Sequence, residues 1–107
     1  MKEKYHLSKT EAEIMERLWE QGGPIRQTEL LAMFCDSGKD WGRQTLNTLL
    51  MRLEARGIVK RAKRMVWASQ DRPGFGLLII QETLDAFFDG KLENMLREYE
   101  KSRGEME

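Results

Sequence analysis

The chain has 107 residues, 34% of them charged, with 18 acidic and 18 basic side chains and therefore no net charge. That length makes one domain with at most a small appendage, and no apolar run approaches the ~18 residues a membrane span needs. A single cysteine excludes an internal disulfide framework, and the opening MKEKYHLSKT lacks the apolar core of a signal peptide, so a cytoplasmic protein with no membrane partner is expected.

In chain order, Ser8-Lys9-Thr10-Glu11 is a capping box that starts a first helix. Ile14, Met15, Leu18 and Trp19 point inward, and Gly22-Gly23-Pro24 stops the helix after about Gln21. Ile25 begins a turn. A short second helix over about Gln27–Asp36 carries Leu30, Leu31 and Phe34, and Ser37-Gly38-Lys39-Asp40 leads into a third. This third helix, within Trp41–Gly57, is the most informative element. Leu46, Leu49, Leu50 and Leu53 recur at the spacing of one buried face. At about 100° per residue, the opposite face carries Gln44, Thr48 and Met51, flanked by Thr45 and Arg52. That face offers an amide, two hydroxyls and a guanidinium, groups that read base edges and grip phosphates.

Ile58–Ala62 and Met65–Ser69 have strand character and pair around Lys63-Arg64, a turn lacking the Gly or Asn that a tight hairpin prefers. Arg72-Pro73-Gly74 breaks the chain before a fourth helix over about Phe75–Phe88, with Ile80, Leu84, Phe87 and Phe88 on one side. After an Asp89-Gly90 turn, a fifth helix repeats Leu92, Met95, Leu96 and Tyr99. The fold class expected is mainly α (α+β): a winged helix-turn-helix with a short two-stranded wing over residues 1–72, then a two-helix dimerisation element over 73–107. Two helices this short rarely bury their apolar faces alone, so these eight apolar residues are expected to meet the same helices of a second copy.

Charge is unevenly distributed. Residues 39–64 hold Lys39, Arg43, Arg52, Arg56, Lys60, Arg61, Lys63 and Arg64 against only Asp40 and Glu54, while both flanking segments carry an acidic excess. One basic segment in an acidic body orients a protein on a polyanion. Double-stranded DNA is the expected partner, with phosphates gripped by Arg43 and, on the wing, Lys60, Arg61, Lys63 and Arg64. The alternative is a winged-helix module whose basic face docks an acidic protein, a reading that zero net charge favours. No Ser/His/Asp or Cys/His combination, carboxylate pair or Gly-rich phosphate loop is present, and His6 is the sole histidine. Neither an enzyme, a cofactor nor a bound metal is expected. Cys35 is read as a small packed side chain, Trp19 and Trp41 as core anchors, and Trp67 as a packing residue.

LSKTEAEIMERLWEQGGPI, followed by DWGRQTLNTLLMRLEARGIVKR, resembles the penicillinase and methicillin-resistance repressors of the BlaI/MecI/CopY type. The likeness covers roughly residues 7–61 and, more weakly, FFDGKLENML at 87–96. It implies a homodimeric winged-helix repressor on a palindromic operator. The family's Lys-Thr at the start of the reading helix falls on Gln44 and Thr45, its second threonine on Thr48 and its arginine on Arg52. Arg43 replaces a helix-starting proline and Gly42 a serine cap. Gln44 in place of lysine implies a changed operator preference, since Gln bonds adenine bidentately where lysine prefers guanine.

Other departures concern the wing and the arm. Ala62-Lys63-Arg64 stands about two residues shorter than the family's Glu-Gly-Arg wing tip, leaving little beyond phosphate contact. The family's C-terminal arm continues through another helix, which implies a smaller dimer interface here. A sensor protease cuts the penicillinase repressors at an Asn-Phe bond in that arm. Glu98-Tyr99 stands at the nearest matching positions, which speaks against such a protease as a partner. Cys35 alone does not supply the cysteine-rich tail of the copper-responsive members.

Overall fold

A computed structural model describes residues 5–106; the first four residues of the opening stretch, and Glu107, lie outside it. The chain divides at Arg72–Pro73 into two compact units.

The first unit starts with α1 (Lys9–Gln21), which forms for the reason its first residues suggest. The Glu11 backbone N–H donates to Ser8 Oγ at 3.2 Å, and the Ser8 N–H donates to Glu11 Oε1 at 2.9 Å. Gly22, at φ 74°, ends the helix in the left-handed region, its N–H reaching the Leu18 carbonyl. Ile14, Met15 and Leu18 are buried on one face. Ile25 does not begin a turn: Ile25–Arg26 form β1, a short strand that feeds directly into α2 (Gln27–Asp36), which buries Leu30 and Phe34.

Helix α3 (Arg43–Ala55) buries Leu46, Leu50 and Leu53, each at 2% exposure or less, while Leu49 lies half-buried on the shoulder. Each such leucine contributes about 1.5–3 kcal/mol by leaving water, which fixes the helix's rotation about its own axis. Gly57, at φ 75°, ends the helix, and the Ile58 N–H returns to the Leu53 carbonyl at 3.0 Å.

Strands β2 (Val59–Ala62) and β3 (Met65–Ala68) form the wing hairpin. The wing has the two strands expected, and β1 joins them in a three-stranded sheet of order β1-β3-β2, all antiparallel. Val66 is wholly buried at its centre, opposite Arg61 on one side and Ile25 on the other. Strand β1 was illegible as a strand because two residues cannot display a period of two.

The three tryptophans sit half-buried at the edges of this core. Trp41 is half-buried, its ring 4.7 Å from that of Phe34, and Lys39 Nζ lies 5.8 Å from its ring centroid. Trp19 is also half-buried, donating its Nε1 proton to the Gln70 carbonyl at 3.0 Å, with Arg72 stacked 5.3 Å from its ring. Trp67 is half-buried and lines a cleft of about 210 Å³ together with Trp19 and Leu18. Cys35 is exposed, not packed, its thiol directed at the Trp41 carbonyl.

In the second unit, α4 (Arg72–Phe87) begins three residues before the expected start, so Arg72-Pro73-Gly74 opens the helix instead of breaking it. Proline is compatible with a first turn because its missing N–H has no intrahelical partner there. Asp89 and Gly90, at φ 54° and 72°, make the turn into α5 (Leu92–Met106). The Gly90 N–H closes it on the Leu84 carbonyl at 2.8 Å, and the Asn94 amide bonds the Phe88 carbonyl at 3.0 Å. No helix among the described residues is long and apolar enough to cross a membrane.

The wing turn is strained. Ala62 pairs with Met65, so Lys63 and Arg64 alone make the turn, at φ 51° and 68°. Two successive left-handed residues are the geometry for which hairpins select Asn-Gly, and a side chain with a Cβ pays roughly 1–2 kcal/mol there. Replacing both, as Lys63→Asn with Arg64→Gly, is expected to raise the unfolding free energy by about 1–2 kcal/mol, read as a higher urea midpoint at unchanged slope.

Candidate nucleic-acid interface

The burial of Leu46, Leu50 and Leu53 turns the other side of α3 outward. Gln44, Thr45 and Arg52 are exposed, and Met51 is 53% exposed between them. Thr48 is half-buried, and its hydroxyl donates to the Gln44 carbonyl at 3.0 Å. Its proton is thus spent inside the helix, leaving its oxygen as an acceptor and its methyl as an apolar contact. The four residues expected on this face therefore share it, but they are not equivalent: Gln44 offers donor and acceptor, Thr45 a hydroxyl, Arg52 only donors.

The basic residues divide in two. Arg43, Lys60, Lys63 and Arg64 are exposed, and no carboxylate pairs with any of them among the described residues. Arg61 differs. Its Nε and Nη2 both reach Glu54 Oε1, at 3.2 and 2.9 Å, and its Nη1 bonds Asn47 Oδ1 at 2.9 Å and Gln27 Oε1 at 3.4 Å. With 18% of its side chain exposed, this guanidinium is consumed in joining β2 to α3 and α2. Arg61, expected to grip phosphate, is placed by these bonds between the wing and the outward-facing helix.

A second arginine holds the C-terminal end of α3. Arg56, its C-cap, donates through Nη2 to Glu11 Oε2 and through Nη1 to the His6 carbonyl at 2.6 Å. Glu11 thus serves at once as the reciprocal cap of α1 and as the counter-ion of the α3 terminus, and the double duty explains an acid only 8% exposed. Sequence reasoning missed both arginine roles and had no signal for them, because the partners lie up to 50 residues away.

The residues placed on the second unit's apolar face are unevenly exposed. Phe87 is 73% exposed, Tyr99 58%, Leu92 51%, Leu96 46% and Ile80 40%, whereas Leu84 is buried and Phe88 and Met95 are half-buried. Leu84 is thus used within the single chain. Leu77 and Ile79, unremarked in the sequence, are as exposed as the first group. They belong to the consecutive apolar residues Leu77–Ile80, which show no helical period of their own.

Because the Arg61 fork satisfies Asn47 and Glu54 together, Arg61→Ala is expected to lower the stability of the first unit by about 1–2 kcal/mol, discounted for the half-exposed Glu54. Lys60→Ala on the same strand should stay within roughly 0.5 kcal/mol of the parent. Urea unfolding of both variants checks the contrast.

An outward helix face rich in hydrogen-bonding groups, beside a basic wing, is what a winged-helix reader of DNA requires. No curated protein matches the chain significantly. Among known families, the penicillinase repressor matches residues 7–106. The match spans both units, and it follows that the chain belongs to the penicillinase repressor family of DNA-binding, winged-helix transcriptional repressors.

Proposed function

We propose that the protein acts as a homodimer on a palindromic operator, with α3 of each copy lying in a major groove. The observation that carries this reading is the rotation of α3: its leucines are buried, and Gln44, Thr45, Met51 and Arg52 are presented together on the exposed side. In the groove, Arg52 is suited to guanine O6 and N7, Gln44 to adenine N6 and N7, and Met51 to a thymine methyl. Thr48 and Thr45 complete the face. Arg43, Lys60, Lys63 and Arg64 grip phosphates, which set register without reading sequence. The first unit is the DNA-binding domain.

The second unit is the dimerisation element. Its exposed apolar side chains, Phe87 and Tyr99 foremost, are those a second copy would cover. A two-fold dimer places two reading helices about one DNA turn, or a multiple of it, apart. Repression then follows from occupancy of the operator.

Selection of bound fragments from a random duplex pool at low salt tests the whole reading. A palindrome with half-sites about one turn apart is the expected product. A half-site without symmetry would remove the dimer but keep the reading helix. No enrichment would favour the alternative, a basic face docking an acidic protein. On the recovered operator, Arg52→Ala should cost about 1–3 kcal/mol and relax preference at one base, and Gln44→Lys should change which base is preferred. Lys63→Ala should weaken all duplexes alike and lower the log–log salt slope by about 0.9. Phe87→Asp combined with Leu96→Asp should give a monomer by sedimentation, with the first unit still folded by circular dichroism; a persistent dimer would place the interface elsewhere.

A further inference from the structure

A cleft of about 550 Å³ opens in the first unit between the start of α2, the start of α3 and the wing tip. Arg26, Arg43, Lys63 and Arg64 line it together with Thr28, over an apolar floor that includes Leu46. No carboxylate lines it. Four cations from three elements therefore converge on one concavity. Elsewhere in the same unit Arg17, Lys39, Arg56, Arg61 and Arg72 each have a carboxylate partner, while Lys9, Arg52 and Lys60 stand unpaired among the described residues but apart from the cleft. The four on the cleft have no carboxylate partner among the described residues. Like charges gathered without counter-ions repel, and an anion in the cleft removes that cost.

We propose that this cleft seats a phosphodiester of the DNA backbone, and that Arg26 is a DNA-binding residue. The inference rests on the DNA-reading function proposed above and adds to it a fixed anion seat beside the reading face.

Three observations favour a backbone phosphate. The first is that the walls are locked. Arg26 pairs with Met65 across the sheet, and the Gln27 N–H donates to the Arg64 carbonyl at 3.0 Å, so Arg26 and the wing tip keep a set separation. The second is that Arg26, at the N-cap of α2, is exposed and its guanidinium has no hydrogen-bond or ion-pair partner among the described residues. Arginine forks, with a hydroxyl beside them, suit the tetrahedral oxygens of a phosphate. The third is location. Arg43 belongs to the cleft and directly precedes Gln44 on α3, so a strand held in the cleft passes next to the base-reading face.

The test uses the full chain and the duplex recovered from the random pool, with Arg26→Ala, Arg26→Glu and Arg26→Lys. Affinity is measured as a function of salt, first on the unmodified duplex and then on duplexes carrying single neutral methylphosphonates along each strand. Arg26→Ala is expected to weaken binding several-fold and lower the log–log salt slope by about 0.9, with the selected sequence unchanged. Arg26→Glu should weaken it further and Arg26→Lys should restore the slope. One methylphosphonate position should harm the parent more than it harms Arg26→Ala, and equal loss at every position would overturn the seat. Parent-like affinity and slope for Arg26→Ala and Arg26→Glu would overturn the seat while leaving the reading helix intact. A changed base preference at unchanged slope would overturn it too, by making Arg26 a base reader. If the parent itself binds no duplex, the function proposed above fails first and the seat with it.

Discussion

Every functional feature of this protein depends on one helix having to satisfy two environments. Burial of Leu46, Leu50 and Leu53 is non-directional, but the helical repeat makes it directional: with these three inside, Gln44, Thr45, Met51 and Arg52 have nowhere to go but out. Rotation by a single residue, about 100°, would bring a leucine to the surface and cost about 1.5–3 kcal/mol for each side chain misplaced. The hydrophobic core therefore aims the outward face of α3, and the side chains on that face take no part in packing it.

Rotation alone leaves the helix free to tilt, and two arginines remove that freedom. Arg56 ties its C-terminal end to the capping box of α1, and Arg61 ties its middle to β2 and the start of α2. Arginine suits both sites because its planar fork bonds several acceptors at once, which one ammonium group cannot do with the same geometry. A chain with no net charge can still present a basic face because its acidic excess lies in the segments flanking residues 39–64. Glu11 and Glu54 are set against structural arginines, and four cations unpaired among the described residues converge where α2, α3 and the wing meet.

The features legible in the sequence were those with a local signature. The capping box around Ser8 and Glu11, the leucine period of α3, the bounds of α2 and the hairpin around Lys63-Arg64 all express themselves within a few neighbouring residues. Illegible features were non-local or too short. Strand β1 has two residues and exists only because β3 offers it an edge. Helix α4 starts at Arg72 because proline tolerates a first turn, whereas Arg72-Pro73-Gly74 by composition alone marks a break. Arg61 carries the same charge as Lys60 and Lys63. Only its position opposite Val66, with Glu54 and Asn47 within reach, separates a structural guanidinium from one available to a polyanion.

The wing turn shows what such availability demands. Asn-Gly would close the hairpin without strain, yet Lys63 and Arg64 occupy both left-handed positions. A cost of about 1–2 kcal/mol per residue is a substantial fraction of the 5–15 kcal/mol by which a domain is ordinarily stable. The sheet supplies the constraint that sustains it: Ala62 pairs with Met65 on the near side, and Arg64 accepts a bond from Gln27 on the far side. A longer wing would relieve the strain, but it would also move these two cations away from Arg26 and Arg43. The tight turn thus trades stability for convergence. It holds positive charge at a fixed height beside the reading helix, where a flexible loop would have to be ordered anew, at an entropic cost, each time DNA is bound.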